Sequence, residues 1–589
     1  MNDRSTDERV FRIVAGPARE RRKVRAPAMS GSRAHIVRHG FLLAAMTVIT
    51  HAVHAQSAAI EFVDVASSVG LGFRHVSPLT PERHLHLFMG SGVAWLDYDL
   101  DQWPDLFFSQ GTPFTESTGD RGPEPTDGIF RNRLGSFQDV IRLSGISKTD
   151  YSMGTAVGDF NSDGFPDLYV TAYGPNSLFR NNGDGTWSEV QSQPCLRDER
   201  FGSACTWFDP DGDDDLDLYV VNYLKLDRHD YPLCSHTEGG VRYPGGCHPR
   251  HQQAESDLLL KNNGDGTFSD ISRSAGICAD HGSPGLGIAV FDADSDGDVD
   301  LYVANDTTNN QLWLNDGTGQ FSDDAVLTGL AVNGIGVPEA GMGVAVRDVD
   351  GDLQADVFVT NYFNESNTLY RNDGAFFTDV TAEFGLDAPS RQRLAFGTSL
   401  FDADNDSWPD LFIANGHVQS YPPELDRYVP FAQLPQLFRN ESGRRFQDVS
   451  QESGRYFRKL IVGRSSAIAD FDRDGRLDIA VQHLNDQAAL LHNRSDSHNW
   501  ISMNLTGVHS NRCAIGATIE IENGPRQMTA FCGGSTGYLA CDDRTVHFGL
   551  ANCSDAVDVR VQWPDGTTDH YRARKPATNH QLIQGRGDD

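Results

Sequence analysis

Seven copies of a nine-residue acidic stretch hold most of the residues in this chain that are suited to chemistry, and that chemistry is the binding of a hard divalent cation. The cleanest copy is Asp292-Ala-Asp294-Ser-Asp296-Gly297-Asp-Val-Asp300, with carboxylates at positions 1, 3, 5 and 9. Oxygens at alternate positions of a tight loop converge on one point, as Ca²⁺ requires, and glycine at position 6 permits the sharp turn. The other copies carry ligand candidates at Asp97, Asp99, Asp101 and Asp105; at Asp159, Asn161, Asp163 and Asp167; and at Asp209, Asp211, Asp213 and Asp217. Three more offer Asp348, Asp350, Asp352 and Asp356; Asp402, Asp404, Asp406 and Asp410; and Asp470, Asp472, Asp474 and Asp478. Up to seven structural ions are expected, since a closed oxygen cage locks a turn and leaves no open position for substrate. The copies are unequal: Asn161 removes a charge, and position 6 becomes Gln102, Asp214, Leu353 and Ser407 in four of them. Unequal affinities follow.

Other groupings carry less. Gly533-Gly-Ser535-Thr-Gly537 matches the Gly-x-Ser-x-Gly pattern of a nucleophilic serine, but it lacks the strand before and helix after that an elbow needs. His75, His84 and His86 crowd one short stretch, and His248 and His251 another, without the spacing of a zinc-protease motif. Arg586-Gly-Asp588 reads as an integrin-type tripeptide, too short to carry a claim. Five residues beyond the last loop Asp stand Asn222, Asn305, Asn361 and Asn415, the last followed by His417. Equivalent amides on successive repeats form either a polar ligand rim or caps on the turns of the repeats.

These loops need rigid elements to hold them. Each repeat reads as a Gly-led apolar strand, the acidic loop, an Asp-Leu-Tyr-Val strand, a Leu-Phe-Arg-Asn strand, a Gly-Asp-Gly turn and a Phe-x-Asp-Val strand. Four antiparallel strands per repeat, recurring at intervals of tens of residues, describe the blades of a propeller. The expected fold is all-β: a seven-bladed β-propeller followed by a small β-rich, sandwich-like domain. The seventh repeat lacks its own Phe-x-Asp-Val strand, and Phe62-Val-Asp-Val65 supplies the missing piece, so the ring is expected to close by pairing the chain start onto the last blade. An insertion between Cys234 and Cys247 makes the third-to-fourth loop interval the longest. It is either a specificity loop or a tolerated surface excursion. A second excursion covers 416–435.

The 589 residues exceed a single core. Residues 1–55 carry ten Lys/Arg against four Asp/Glu, then the apolar run Phe41–Ile49 and Val53-His-Ala55, the pattern of an export signal. Taking these from the 49 basic and 82 acidic residues of the chain leaves 39 and 78, a formal charge of −39. Such acidity disfavours a nucleic-acid partner, and much of it lies in the loops, where a divalent ion would neutralise it. No transmembrane span is expected in the mature chain, and the location is secreted, periplasmic or cell-surface. Nine cysteines, none in a Cys-x-x-Cys pair, suggest disulfides, with Cys234–Cys247 and Cys195–Cys205 as local couples and Cys278 left over.

The repeats resemble the FG-GAP/VCBS-type calcium-binding blades also found in integrin α-chain ectodomains. His498-Asn-Trp-Ile-Ser-Met-Asn-Leu505, Asn511-Arg-Cys-Ala-Ile-Gly-Ala517, His547-Phe-Gly-Leu550 and Val561-Gln-Trp-Pro-Asp-Gly566 look like an ASPIC/UnbV domain. With Asn415-Gly-His-Val418, the chain is similar to the cartilage acidic protein family over roughly residues 60–575. The resemblance implies an exported calcium-binding propeller with a small β domain. The expected parts are an export segment over 1–55, the propeller over 56–497, the ASPIC/UnbV-like domain over 498–578 and a disordered tail over 579–589. The expected role is a binding or adhesion module for an extracellular or envelope protein or glycan. The alternative is an exported enzyme acting on a carbohydrate or secondary metabolite, with its site in the channel or at the interdomain junction.

Overall fold

The computed structural model describes residues 59–588 apart from 78, 81–82, 112–125, 149, 228–230, 239–240, 278–281 and 420–429. The export segment, Cys278 and most of the second excursion therefore lie outside the described residues. Each acidic loop joins the first and second strands of one antiparallel sheet, and each sheet is numbered here by its loop. Among the described residues these sheets have four strands, except the first, which is extended to six. Their first strands are Val93–Leu96, Tyr151–Gly158, Gly202–Phe208, Gly285–Phe291, Val344–Arg347, Ala395–Phe401 and Gly463–Ala469. Each of these lies against its counterparts in the two neighbouring sheets, and the seventh returns to the first, so the sheets stand in a closed ring.

Glycine explains how closely the first strands approach. A Cβ on Gly154 would lie 2.3 Å from the Ser203 carbonyl, and one on Gly343 would lie 2.3 Å from that of Phe396. Buried aliphatic and aromatic side chains fill the spaces between sheets, as with Trp95, Leu106, Phe137 and Phe471 between the first and seventh. Closure follows the sequence expectation. Phe62–Asp64 pairs antiparallel with Ala489–Asn493, Phe62 opposite Asn493 and Asp64 opposite Leu491.

The channel of the ring is filled from both ends. The short helix His86–Met89 enters one end and packs with Tyr151, Phe201 and Tyr223. From the other end comes a finger of the C-terminal region: Cys541 pairs with Ala94 of the first sheet, Gly537 bridges Val344 of the fifth, and Tyr538 Oη donates to the Met89 carbonyl at 3.0 Å.

The C-terminal domain is a sandwich. A three-stranded sheet (Val546–Ala551, Asn499–Thr506, Asn579–Ile583) faces a four-stranded one (Arg526–Phe531, Thr518–Asn523, Val557–Gln562, Thr568–Arg574) over Ile501, Ile519, Val559 and Trp563. The expected disordered tail is corrected by this sheet. Asn579–Ile583 runs parallel to Asn499–Thr506, and Asp588 accepts from the Arg574 guanidinium at 2.7 Å. Cysteine pairing is corrected too: Cys234 and Cys247 are bonded, whereas Cys195 and Cys205 are free thiols, the latter buried. Among the described residues no helix is long and apolar enough to cross a membrane.

Candidate metal centres

All seven acidic loops adopt one backbone. Position 1 accepts the N–H of position 6 in every copy, at 2.7–3.1 Å. Position 5 accepts the N–H of position 7 in every copy, at 2.9–3.2 Å. Positions 4 and 6 both take left-handed φ, even where they are Leu100, Gln102, Asp214, Leu353 or Ser407. Each non-glycine residue there costs on the order of 1–3 kcal/mol, so the surrounding bonds over-determine the turn.

Position 9 is the hub between loop and sheet. Its Oδ1 accepts the N–H of an Asn that ends the third strand in every sheet, at 2.6–2.9 Å. Its Oδ2 accepts the N–H of position 2 in six loops. In the third loop position 2 is Pro210, which has no N–H, and Asp217 Oδ2 is left buried and unpartnered.

The sequence reading missed what those third-strand asparagines do. Asn132, Asn181, Asn262, Asn315, Asn372, Asn440 and Asn493 each donate Nδ2 to the carbonyl at position 2 of the preceding sheet's loop, at 2.7–3.2 Å. The acceptors run Phe471, Tyr98, Phe160, Pro210, Ala293, Val349 and Ala403, a cycle that links every loop to the next. Their recurrence at one place in all seven repeats was the available signal.

The donor sets fit a cation. Carboxylate atoms of Asp97, Asp99 and Asp101, of Asp209, Asp211 and Asp213, of Asp292, Asp294 and Asp300, and of Asp348, Asp350 and Asp356 lie within 4.8 Å of one another in each group. Oδ1 of Asp97, Asp99, Asp211, Asp292, Asp350, Asp404 and Asp472 is buried without a hydrogen-bond partner. Burial, then the neighbouring carboxylates, pushes Asp292 up to about 6 and Asp209 to about 7. Each set is thus short of positive charge, which an ion of charge two relieves. Part of the deficit is met from within. Arg131 reaches Asp99, Lys261 reaches Asp211 and Asp213, Arg439 lies 3.1 Å from Asp404, and His492 lies 3.0 Å from Asp472. The fourth loop has Leu314 where these cations arise.

The proposed amide rim is not a surface. Asn222, Asn305, Asn361, Asn415 and His417 are all buried. The amides donate Nδ2 inward to the carbonyls of Ser256, Asn309, Ser366 and Leu434, tying the turn between second and third strands. His417 Nδ1 accepts from the Gln419 N–H. Ser535 lies buried in the channel finger and donates to the Thr155 carbonyl at 3.3 Å.

The C-terminal domain covers the acidic loops. A Cβ on Gly475 of the seventh loop would lie 1.8 Å from the Trp500 indole, and Gly164 of the second loop faces Arg512. The Asp159 N–H reaches Cys513 Sγ at 3.2 Å, and Arg526 stacks 3.3 Å over Trp408 of the sixth. A cavity of about 840 Å³ remains beneath the domain, bordered by Asp97, Asp159, Asp470, Arg512, Asp542 and Arg544. The hairpin Cys234–Glu238/Val241–Gly245, closed by its disulfide, stands in a second-to-third-strand connection and so on the opposite face.

Comparison with known proteins agrees with this partition. An FG-GAP-like repeat model matches residues 97–170, 159–220, 292–359 and 402–481, and an ASPIC and UnbV model matches 507–589. Cartilage acidic protein 1 of Xenopus tropicalis is 25% identical over 452 residues, 70% of this chain and 61% of that protein. The Mus musculus protein of that name is 28% identical over 310 residues, 50% of this chain and 44% of that protein. The chain thus spans less than two thirds of either relative. Among solved structures, YCF48 bound to D1 peptide overlaps at a TM-score of 0.38 and 8% identity, covering 72% of this chain and 95% of that one.

Proposed function

We infer that this chain, an FG-GAP-repeat propeller with a C-terminal ASPIC and UnbV domain that is homologous to cartilage acidic protein 1, is an exported, calcium-dependent binding module for a protein or glycan. The observation that carries the reading is the set of carboxylate loops with one shared backbone, buried unpartnered oxygens and too little internal positive charge. When bound, Ca²⁺ supplies the missing charge. The chain's own part is to hold positions 1, 3 and 5 convergent through the position 6 and position 7 N–H groups, and to brace position 9 against the third-strand Asn. The Cys234–Cys247 disulfide is consistent with an oxidising compartment.

With the acidic-loop face covered and the channel filled, recognition falls to the opposite face. There the disulfide-closed hairpin follows the exposed Leu233, 69% accessible, and the hairpin's Gly246 packs on Leu85 beside the helix that closes the channel. A loop held out from a rigid scaffold is a common arrangement for a binding residue set. The test is a glycan array and an extracellular-protein pull-down with the intact chain and with residues 234–247 replaced by a short Gly-Ser turn. The reading expects capture by the intact chain in calcium, lost in the excised one. Equal capture by both, or capture unaffected by EDTA, contradicts it. The enzymatic alternative has its room in the cavity beneath the C-terminal domain rather than in the channel. A turnover assay on polysaccharide panels, with Asp542→Asn as the paired variant, decides it.

A further inference from the structure

The sixth loop differs from its siblings in being entombed. Asp402 and Asp404 are exposed by 5% and 2%, where the equivalent Asp292 of the fourth loop is half-buried and Asp294 exposed; Asp410 and Asp300 are equally buried. Among the described residues Arg439 alone makes an ion pair with this set, at 3.1 Å from Asp404 Oδ2, and Asp404 Oδ1 is buried with no partner. Arg347 and Arg526 add their charge from farther off and Asp406 is half-buried, yet the buried Asp404 Oδ1 still faces its neighbouring carboxylates without a partner, an arrangement that a divalent cation completes.

What closes the site is the C-terminal domain, and it does so through the loop's own backbone. The Asp404 carbonyl accepts from the His498 N–H at 3.1 Å and faces His498 Nδ1 at 2.9 Å, and the Asn405 carbonyl accepts from the Ala551 N–H at 2.9 Å. Asn405 Oδ1 meets His547 Nε2 at 2.8 Å, and its Nδ2 donates to the Gly475 carbonyl of the seventh loop. Ser407, which stands where the cleanest copy has glycine and keeps φ at 79°, donates its hydroxyl to the Gly549 carbonyl at 2.9 Å. A Cβ on Gly549 would lie 2.0 Å from Asp402 Oδ2, so only glycine lets the strand approach. Carboxylates and contacts with the domain thus share one nine-residue loop, and Asp404 contributes to both.

We propose that a divalent cation in the sixth loop fastens the C-terminal domain onto the propeller, so that occupancy of this one site and docking of the domain are coupled. The proposal rests on the calcium reading above and adds to it a division of labour: the fourth loop meets the domain where Gly297 faces Gln562 and Val299 faces Gly516, whereas the sixth is hydrogen-bonded to it through its own backbone and is the clamp. Coupling is reciprocal, so loosening the domain must also weaken the ion.

The test is hydrogen exchange on the full chain, reading the interface amides of His498 and Ala551 against the Val559 amide inside the C-terminal domain. In calcium, all three are expected to be protected. EDTA, or Asp404→Asn in calcium, is expected to speed exchange at His498 and Ala551 by at least about tenfold relative to Val559, whereas Asp294→Asn in the fourth loop leaves them unchanged. His547→Ala, which keeps every carboxylate, is expected to lower calcium occupancy by one site in a titration, a readout available even if Asp404→Asn does not fold. If the chain binds calcium but His498 and Ala551 ignore EDTA, or if the two loop variants act alike, the clamp is wrong and the calcium reading survives. If no calcium binds, both fall.

Discussion

Replacing Asn132 by alanine should open the ring at its seam, and the size of the effect follows from the bonds it removes. Asn132 is fully buried at the end of the third strand of the first sheet. Its Nδ2 donates to the Phe471 carbonyl of the seventh sheet at 2.8 Å and to the Pro104 carbonyl at 3.0 Å, and its Oδ1 accepts the Gly135 N–H at 2.9 Å. The main-chain bond to Asp105 survives the change. Two buried carbonyls and one N–H lose their partners, at about 1–3 kcal/mol each when left unsatisfied and less where water enters the vacated space. A total near 3 kcal/mol is expected, lowering the thermal midpoint by about 3 °C in a protein of this size. Asn182→Ala provides the comparison, since the exposed Asn182 amide bonds only the nearby Thr186 and Ser188 hydroxyls and the Arg180 guanidinium. Differential scanning fluorimetry of both variants measures the difference. A midpoint for Asn132→Ala within about 1 °C of Asn182→Ala would refute the claim that these amides tie blade to blade.

Closure makes a second expectation: deleting residues 56–70 removes the Phe62–Asp64 strand and should raise exchange near Leu490–His492 before it rises in the fourth sheet, and uniform loss of protection would count against it. His75 gives a pH dependence. Burial, and then the Arg464 charge, lowers it to about 3, while its Nδ1 accepts from the Asn485 N–H and its Nε2 faces Ser91 Oγ. The folded state refuses a proton that the unfolded chain takes near 6.5, so stability is full above that pH and falls below it by about 1.4 kcal/mol per unit towards the folded value. Urea midpoints of the wild type and His75→Gln should therefore converge as pH drops from 7 to 4.5, and a constant gap would contradict this. Ser535→Ala should leave any captured ligand and the thermal midpoint nearly unchanged, because it loses one 3.3 Å bond; labelling of Ser535 by a serine-directed probe in the folded protein would show otherwise.

Much of the ring was legible because its signals repeat. Carboxylates at alternate positions, the Gly-led strand and the orphan Phe62–Val65 strand are properties of residue type and spacing, and such local signals survive folding. What depends on which side of a chain faces inward was not. Asn222 and Asn361 end their strands beside a turn, where an amide can point to solvent or cap the turn, and the turn carbonyls of Ser256 and Ser366 captured them. Asn132 and its six counterparts read as strand endings because their partner carbonyls lie in another repeat, between 79 and 105 residues away in six cases and 339 in the seam. The C-terminal motifs were visible as a family signature, but the contacts they make with the acidic loops were not. Gly549 lies against Asp402 and Asn405, and Trp500 against Gly475 and His547, contacts that no local pattern announces. A tail of mixed polar residues looked disordered, yet Asn579–Ile583 finds its hydrogen bonds along Asn499–Thr506.

Calcium in the acidic loops is tested most directly by a calorimetric titration of the EDTA-treated, desalted full chain with Ca²⁺, checked by elemental analysis of the dialysed protein. Several ions per chain are predicted, in unequal classes. Asp294→Asn should remove one of the tighter sites, since the fourth loop has glycine at position 6 and Leu314 in place of an internal cation. Fewer than one ion per chain at millimolar Ca²⁺, or an Asp294→Asn titration that overlays the wild type, would contradict it.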